Sequence, residues 1–185
     1  GSEMCIRDSR SADLLELEAI SKEIYVQFVT GHFRGAKKKI SVENVAKVYD
    51  FFKGHTFYMQ KTFNEAFADT SVNEECSGEK IKAAISILVD SYDTIFREIL
   101  SNVPEKQKEL LYAIAIDGEA SSITSSAFIR RHRLSSASSV QSAVKKLLEK
   151  DLVTISHKVY SISDRFFALW LATQMGPDDP LQSLV

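Results

Sequence analysis

The sequence predicts a mainly α-helical chain: a four-helix bundle followed by a winged helix-turn-helix domain with a small β-hairpin wing. Three observations carry that expectation. Apolar residues recur at three- and four-residue spacing through the first hundred positions. Asn102-Val103-Pro104 interrupts the pattern, and proline suits the first turn of a new helix. Most informative is Ser136 to Val153, which reads as a serine-capped amphipathic helix running directly into a short strand.

Composition bounds the reading. The chain has 185 residues, 44% of them apolar, enough for real cores in one or two domains. A net charge of −2 argues against a chain built to coat nucleic acid. From Glu105 to Asp164, however, nine lysines and arginines face seven acids, whereas thirteen face sixteen from Gly1 to Val103. Two cysteines, Cys5 and Cys76, are too few for a disulfide scaffold. With no long apolar run and no signal peptide, the expected location is cytoplasmic, with no membrane partner. Residues 1–12 are set aside: Gly1-Ser2 reads as a tag-cleavage scar, and Met4-Cys5-Ile6-Arg7-Asp8-Ser9 as a translated sequencing adaptor. On that reading the natural gene continues upstream.

The bundle is expected over residues 13–101. Leu14 to Ile20 leads to Ser21, an N-cap, and Ile24, Phe28 and Val29, with Tyr25 and His32, stripe a helix reaching about Lys38. Lys37-Lys38-Lys39 closes it, where cations oppose the helix dipole. Ser41 caps a second helix with Val42, Val45, Val48, Tyr49 and Phe52, ended by Gly54 in the left-handed region. A third carries Phe57, Met59, Phe63, Phe67 and Ala68, aromatic density that a bundle core explains better than a ligand pocket. Asp69 to Gly78 is a loop. Ser77 or Gly78 then opens a fourth helix, in which Ile81, Ala84, Ile85, Leu88, Tyr92, Ile95, Phe96 and Ile99 hold one face for more than five turns.

The winged helix is expected over residues 102–175. Pro104 to Ile116 forms its first helix, with Gln107, Leu110, Leu111, Ile114 and Ala115 inward, stopped by Asp117-Gly118. Ser125 or Ser126 caps a short helix through Phe128 and Ile129 to His132, and Leu134 closes the turn. Ser136 caps the third, whose inward positions are Ala137, Val140, Val144, Leu147 and Leu148. Val153 to Ser156 and Lys158 to Ile162 alternate as the strands of a wing. Ser163-Asp164 caps a last helix to Met175, with Phe166, Phe167, Leu169, Trp170 and Leu171 buried; residues 176–185 form a mobile tail.

A recognition helix puts its N-terminal residues at base edges while basic side chains take phosphates. Ser138, Gln141, Ser142 and Lys145 have that chemistry, since Gln pairs with adenine and Lys with guanine or phosphate. Arg130, Arg131, Arg133 and Lys158 would supply backbone contacts to double-stranded DNA. The competing reading is a structural or regulatory winged helix, in which serines only cap and the arginines are solvated or touch protein.

No catalytic constellation emerges. There is no Gly-rich loop ending in Gly-Lys-Ser/Thr, no strand ending in paired acids for magnesium and no Gly-x-Ser-x-Gly elbow. His32, His55, His132 and His157 are too scattered for zinc, and Asp90 and Asp93 suit a solvated helix surface better than acid-base work. An enzyme complete in this chain is not expected.

Four segments carry a resemblance: Gly54-His55-Thr56-Phe57-Tyr58-Met59-Gln60, Gln107 to Ala115, Ser136 to Leu147, and Tyr160 to Leu171. Their order and spacing, over about residues 14 to 175, resemble the C-terminal half of archaeal-type P-loop ATPases, common in archaea and Bacteroides-like bacteria, within the AAA+ and STAND (signal-transducing) ATPase superfamily. The resemblance implies a helical lid followed by a winged helix, with the nucleotide-binding core upstream as its missing partner. It places Gly54, His55 and Thr56 over the adenine end of the nucleotide, although Thr56 stands where the family has proline, as does Arg165. It implies ATP and magnesium for the full-length parent and no cofactor for this fragment.

Three functions therefore stand side by side. One is a regulatory lid and winged helix that passes nucleotide state to a protein or nucleic-acid partner. The others are a DNA-binding module, and a self-contained transcription regulator with residues 12–103 as a ligand or dimerisation bundle.

Overall fold

The computed structural model describes residues 20–174 and 179–184. The scar, the adaptor-like stretch and the Leu14 to Ala19 run lie outside the described residues.

The bundle begins with α1 (Lys22–Gly35), capped by Ser21, whose hydroxyl accepts from the Ile24 amide. Two apolar stripes compete on this helix. Tyr25, Val29 and Phe33 are the buried one; Ile24 and Phe28, expected inward, stand 61% and 63% exposed. The helix also stops at Gly35, short of the lysine run. Lys37 adopts a left-handed φ of 56° and turns the chain, while Lys38 donates to the Phe67 carbonyl at 2.6 Å and sits 3.8 Å from that ring's centroid.

Lys39 opens β1 (Lys39–Ile40), which pairs in parallel with β2 (Glu75–Cys76) in the segment expected to be pure loop. Between them run α2 (Val42–Phe51) and α3 (Thr56–Asp69). Ser41 caps α2 through the Asn44 amide, and Gly54, at φ 74°, takes the left-handed position expected of it. Val45, Val48, Phe52, Met59, Phe63 and Ala66 fill the core, but Val42 and Phe57 point outward.

Ser77 caps α4 (Gly78–Ser91), and a break at Tyr92 separates it from α5 (Asp93–Ser101). The single long helix expected here is thus two. No glycine or proline marks the break; the contacts made beyond it supply the reason. Asp93 accepts from Trp170 Nε1 at 2.9 Å and pairs with Arg97 at 2.7 Å, and Phe96 packs against Phe167 and Trp170 at 5.1 and 5.9 Å between centroids.

The second unit runs α6 (Glu105–Asp117), β3 (Ala120–Ser121), α7 (Ser126–Arg131), α8 (Ala137–Glu149), β4 (Val153–Ser156), β5 (Val159–Ile162) and α9 (Arg165–Thr173). The caps fall at Ser125, Ser136 and Asp164, each accepting from the amide three residues on. The strands form one antiparallel sheet in the order β3-β5-β4, so the wing has a third strand that the sequence reading missed. His157 and Lys158 both have positive φ, 49° and 66°, the two-residue turn that suits hairpin twist. Lys158 is therefore the wing tip, not the start of the returning strand. On α8, Val140, Ala143, Val144 and Leu147 face inward, whereas Ala137 is exposed.

α9 joins the two units. Phe166 is boxed by Tyr58, Phe52 and Tyr92 of the bundle at 4.9, 6.0 and 6.0 Å between centroids. The end of the chain adds to this seam: Leu181 and Leu184 are buried, with the 3-10 turn Gln182–Leu184 against α2 and α4, and Asp179 pairs with Lys82. A mobile tail was expected there, but two leucines three apart find apolar surface.

Candidate functional site

Two places answer to the candidate residues. The first is the outer face of α8. Ser138, Gln141, Ser142 and Lys145 recur at helical spacing and are all exposed, on the side opposite Val140, Val144 and Leu147. Ser138 Oγ lies 3.1 Å from the capping Ser136 Oγ, and the first turn contains no acid, so its amides keep their positive end unopposed. Behind this face, the last-turn acid Glu149 is held by Lys146 at 2.7 Å, a hydrogen bond that keeps its carboxyl below the usual range.

The four arginine and lysine partners divide. Arg130, Arg133 and Lys158 are exposed and make no ion pair among the described residues; neither does Lys145. Arg131 has another task. Its guanidinium pairs with Asp117 at the end of α6, and its Nε donates to His132 Nε2 at 3.1 Å. His132 Nε2 also lies 3.2 Å from Asp117 Oδ2, with only 7% of that side chain exposed. This cluster ties α7 to α6, a contact that spacing alone could not show because fourteen residues separate Asp117 from Arg131.

The second place is the α2-α3 corner. Gly54 is buried, Thr56 half-buried and His55 exposed at the start of α3, which has no side-chain cap and no acid in its first turn. Burial, then the charges of Arg165 and Lys53, lower the pKa of His55, so the imidazole is neutral at pH 7. Beside this corner lies a groove of about 650 Å³, walled by Phe51, Ile116, Leu169 and Ala172, with Lys53 and Arg165 at its edge. A Lys53 to Glu119 ion pair bridges bundle and winged helix at the same edge.

Among the described residues, no three His, Cys, Asp or Glu side chains gather as a metal site, and no helix is long and apolar enough to cross a membrane. Cys76 is a buried free thiol whose pKa burial raises.

Residues 94–173 match a family described as "Probable winged helix domain". The match begins inside α5, consistent with the packing of Phe96 on α9. Comparison with curated proteins gives no significant match. Among solved structures, the chain is similar to the Walker-type ATPase paby2304 of Pyrococcus abyssi, with a TM-score of 0.60 and 14% identity over 83% of this chain. The chain spans 42% of the length of that structure. At such identity the likeness is one of fold: a helical bundle carrying a winged helix.

Proposed function

We propose that this chain is the lid and winged-helix part of a P-loop ATPase of the archaeal-type, AAA+/STAND kind, a non-catalytic module passing nucleotide state from a core outside this chain to a partner. The observation that carries the reading is the aromatic seam. Phe166 sits in a box of bundle side chains, Trp170 is hydrogen-bonded to Asp93, and Lys53 pairs with Glu119. Side chains packed this way would let a displacement at the bundle be passed through α9 to the winged helix. The likeness to a Walker-type ATPase over 83% of the chain supports the same two-part arrangement.

Gly54, His55 and Thr56 would form the lid's edge toward the nucleotide. Their surroundings fit such a ligand: a neutral imidazole able to hydrogen-bond or stack, two cations beside it, and helix amides free of acidic competition. When bound to the core, ATP and magnesium would supply the energy-yielding hydrolysis; the chain's own contribution is to hold the base edge and move. Isothermal titration of this chain with magnesium ATP tests the division of labour. No heat at millimolar nucleotide is expected, and micromolar affinity would overturn it.

The exposed Gln141 and Lys145 favour a second reading, in which the partner is double-stranded DNA, with Arg130, Arg133 and Lys158 on phosphates. Titration of random duplex at several salt concentrations separates the two. Binding that weakens steeply with salt and is lost when Lys145 and Arg133 are both changed to Glu supports DNA; no binding at low salt leaves a protein partner.

A further inference from the structure

α1 carries an exposed apolar face away from both candidate sites. Ile24 and Phe28 are one turn apart and mostly exposed, and Gly31 and Gly35 continue the same side, with Ile20 just ahead of the helix. Gln27 and the exposed His32, whose ring stacks on Phe28 at 6.4 Å between centroids, border this face, which holds no carboxylate, lysine or arginine. A Cβ placed on Gly31 or Gly35 would meet nothing within 4 Å, so no contact in the fold requires glycine there. Glycine is nonetheless the poorest ordinary residue inside a helix, so Gly31 weakens α1 with no contact in return among the described residues, whereas Gly35 is the last helical residue and carries no such cost.

We infer that this face binds a second copy of itself, α1 against α1 in antiparallel orientation. The sequence is self-complementary about a two-fold near residues 27 and 28. In that register Ile24 of each copy meets the gap at Gly31 of the other, and the two Phe28 rings lie together at the centre. The charges agree. Glu23 and Arg34 flank one edge of the face, eleven residues apart and hence about 20° apart around the axis. The two-fold brings Glu23 of each copy beside Arg34 of the other, two symmetric ion pairs. Neither residue has an ion-pair partner among the described residues. A different protein would require no such palindrome, whereas isologous contact does. A 14-residue helix is about 21 Å long, so the pair buries less than the ~800 Å² per partner of a standard interface, and the dimer is a weak one.

Sedimentation equilibrium of the whole chain from low micromolar to submillimolar concentration tests this. The expected result is a monomer that becomes a dimer across that range. Gly31→Arg fills the gap without touching the fold, so it should abolish the dimer while leaving the thermal midpoint equal or higher. Glu23→Arg should weaken association at least several-fold, and Glu23→Arg with Arg34→Glu should restore it. A chain that stays monomeric throughout, or a dimer indifferent to Gly31→Arg and Phe28→Glu, would overturn the inference.

Discussion

The winged helix turns two faces to two different environments, and they are made of different chemistry. Its α9 face gives Phe166, Phe167 and Trp170 to the bundle, all nearly inaccessible. Its α8 face gives Ser138, Gln141, Ser142 and Lys145 to solvent. Substitution on the first should cost folding free energy and on the second should not, because only the first has packing to lose. The contrast also explains the division among the arginines. Arg131, near α6, is drawn into holding Asp117 and His132, whereas Arg130, Arg133 and Lys158 are exposed and make no ion pair among the described residues.

The sharpest way to break this contrast is Phe166→Ala, which empties the aromatic box. A loss of about 3–5 kcal/mol in urea unfolding is expected, with bundle and winged helix separating into two transitions. A loss below about 1 kcal/mol would mean that the seam does not hold the two units together. Trp170→Phe keeps the ring buried but removes the donor to Asp93, and should cost about 1–2 kcal/mol by the same measurement. Ser136→Ala, which removes the α8 cap, should cost about 1 kcal/mol.

Acid should act on the seam through Asp93. Arg97's hydrogen bond, and then Trp170's, lower the Asp93 pKa in the folded chain below its ordinary 3.8. A carboxylate with a depressed folded pKa stabilises fully above its unfolded value and loses that contribution as pH falls through the folded one. Trp170 fluorescence should therefore change only below about pH 3.8, and Asp93→Asn should flatten the response. Smallest of all, Lys145→Glu should leave stability within about 0.5 kcal/mol while altering partner binding; a larger destabilisation would show that the α8 face is packed against something.

How legible each feature was depended on how local its cause is. Ser21, Ser41 and Ser136 were readable as caps, and Ser77, Ser125 and Asp164 to within one residue, because a cap is decided by one side chain and the amide three residues on. The β1-β2 pair was not, since two residues per strand leave no alternation to read. Neither was the break at Tyr92, which carries no breaker residue and is explained by Trp170, 77 residues from Asp93. On α1 the pattern offered two stripes, Ile24-Phe28 and Tyr25-Val29-Phe33, at the same spacing. Which one is buried depends on where α2 and α3 lie. Of the candidate site, the outward set on α8 was legible, because its buried complement is regular; the engagement of Arg131 with Asp117 was not.

The sequence by itself determined most of the helices, their caps to within a residue, the left-handed Gly54 and the β4-β5 hairpin that follows α8, because those rest on backbone propensity and neighbours within a few residues. Tertiary structure alone decided that α9 clamps the winged helix to the bundle, that Leu181 and Leu184 are buried, and that an apolar face of α1 stays exposed. Those outcomes depend on which surfaces meet across long stretches of chain, and packing between distant elements leaves no period in the sequence.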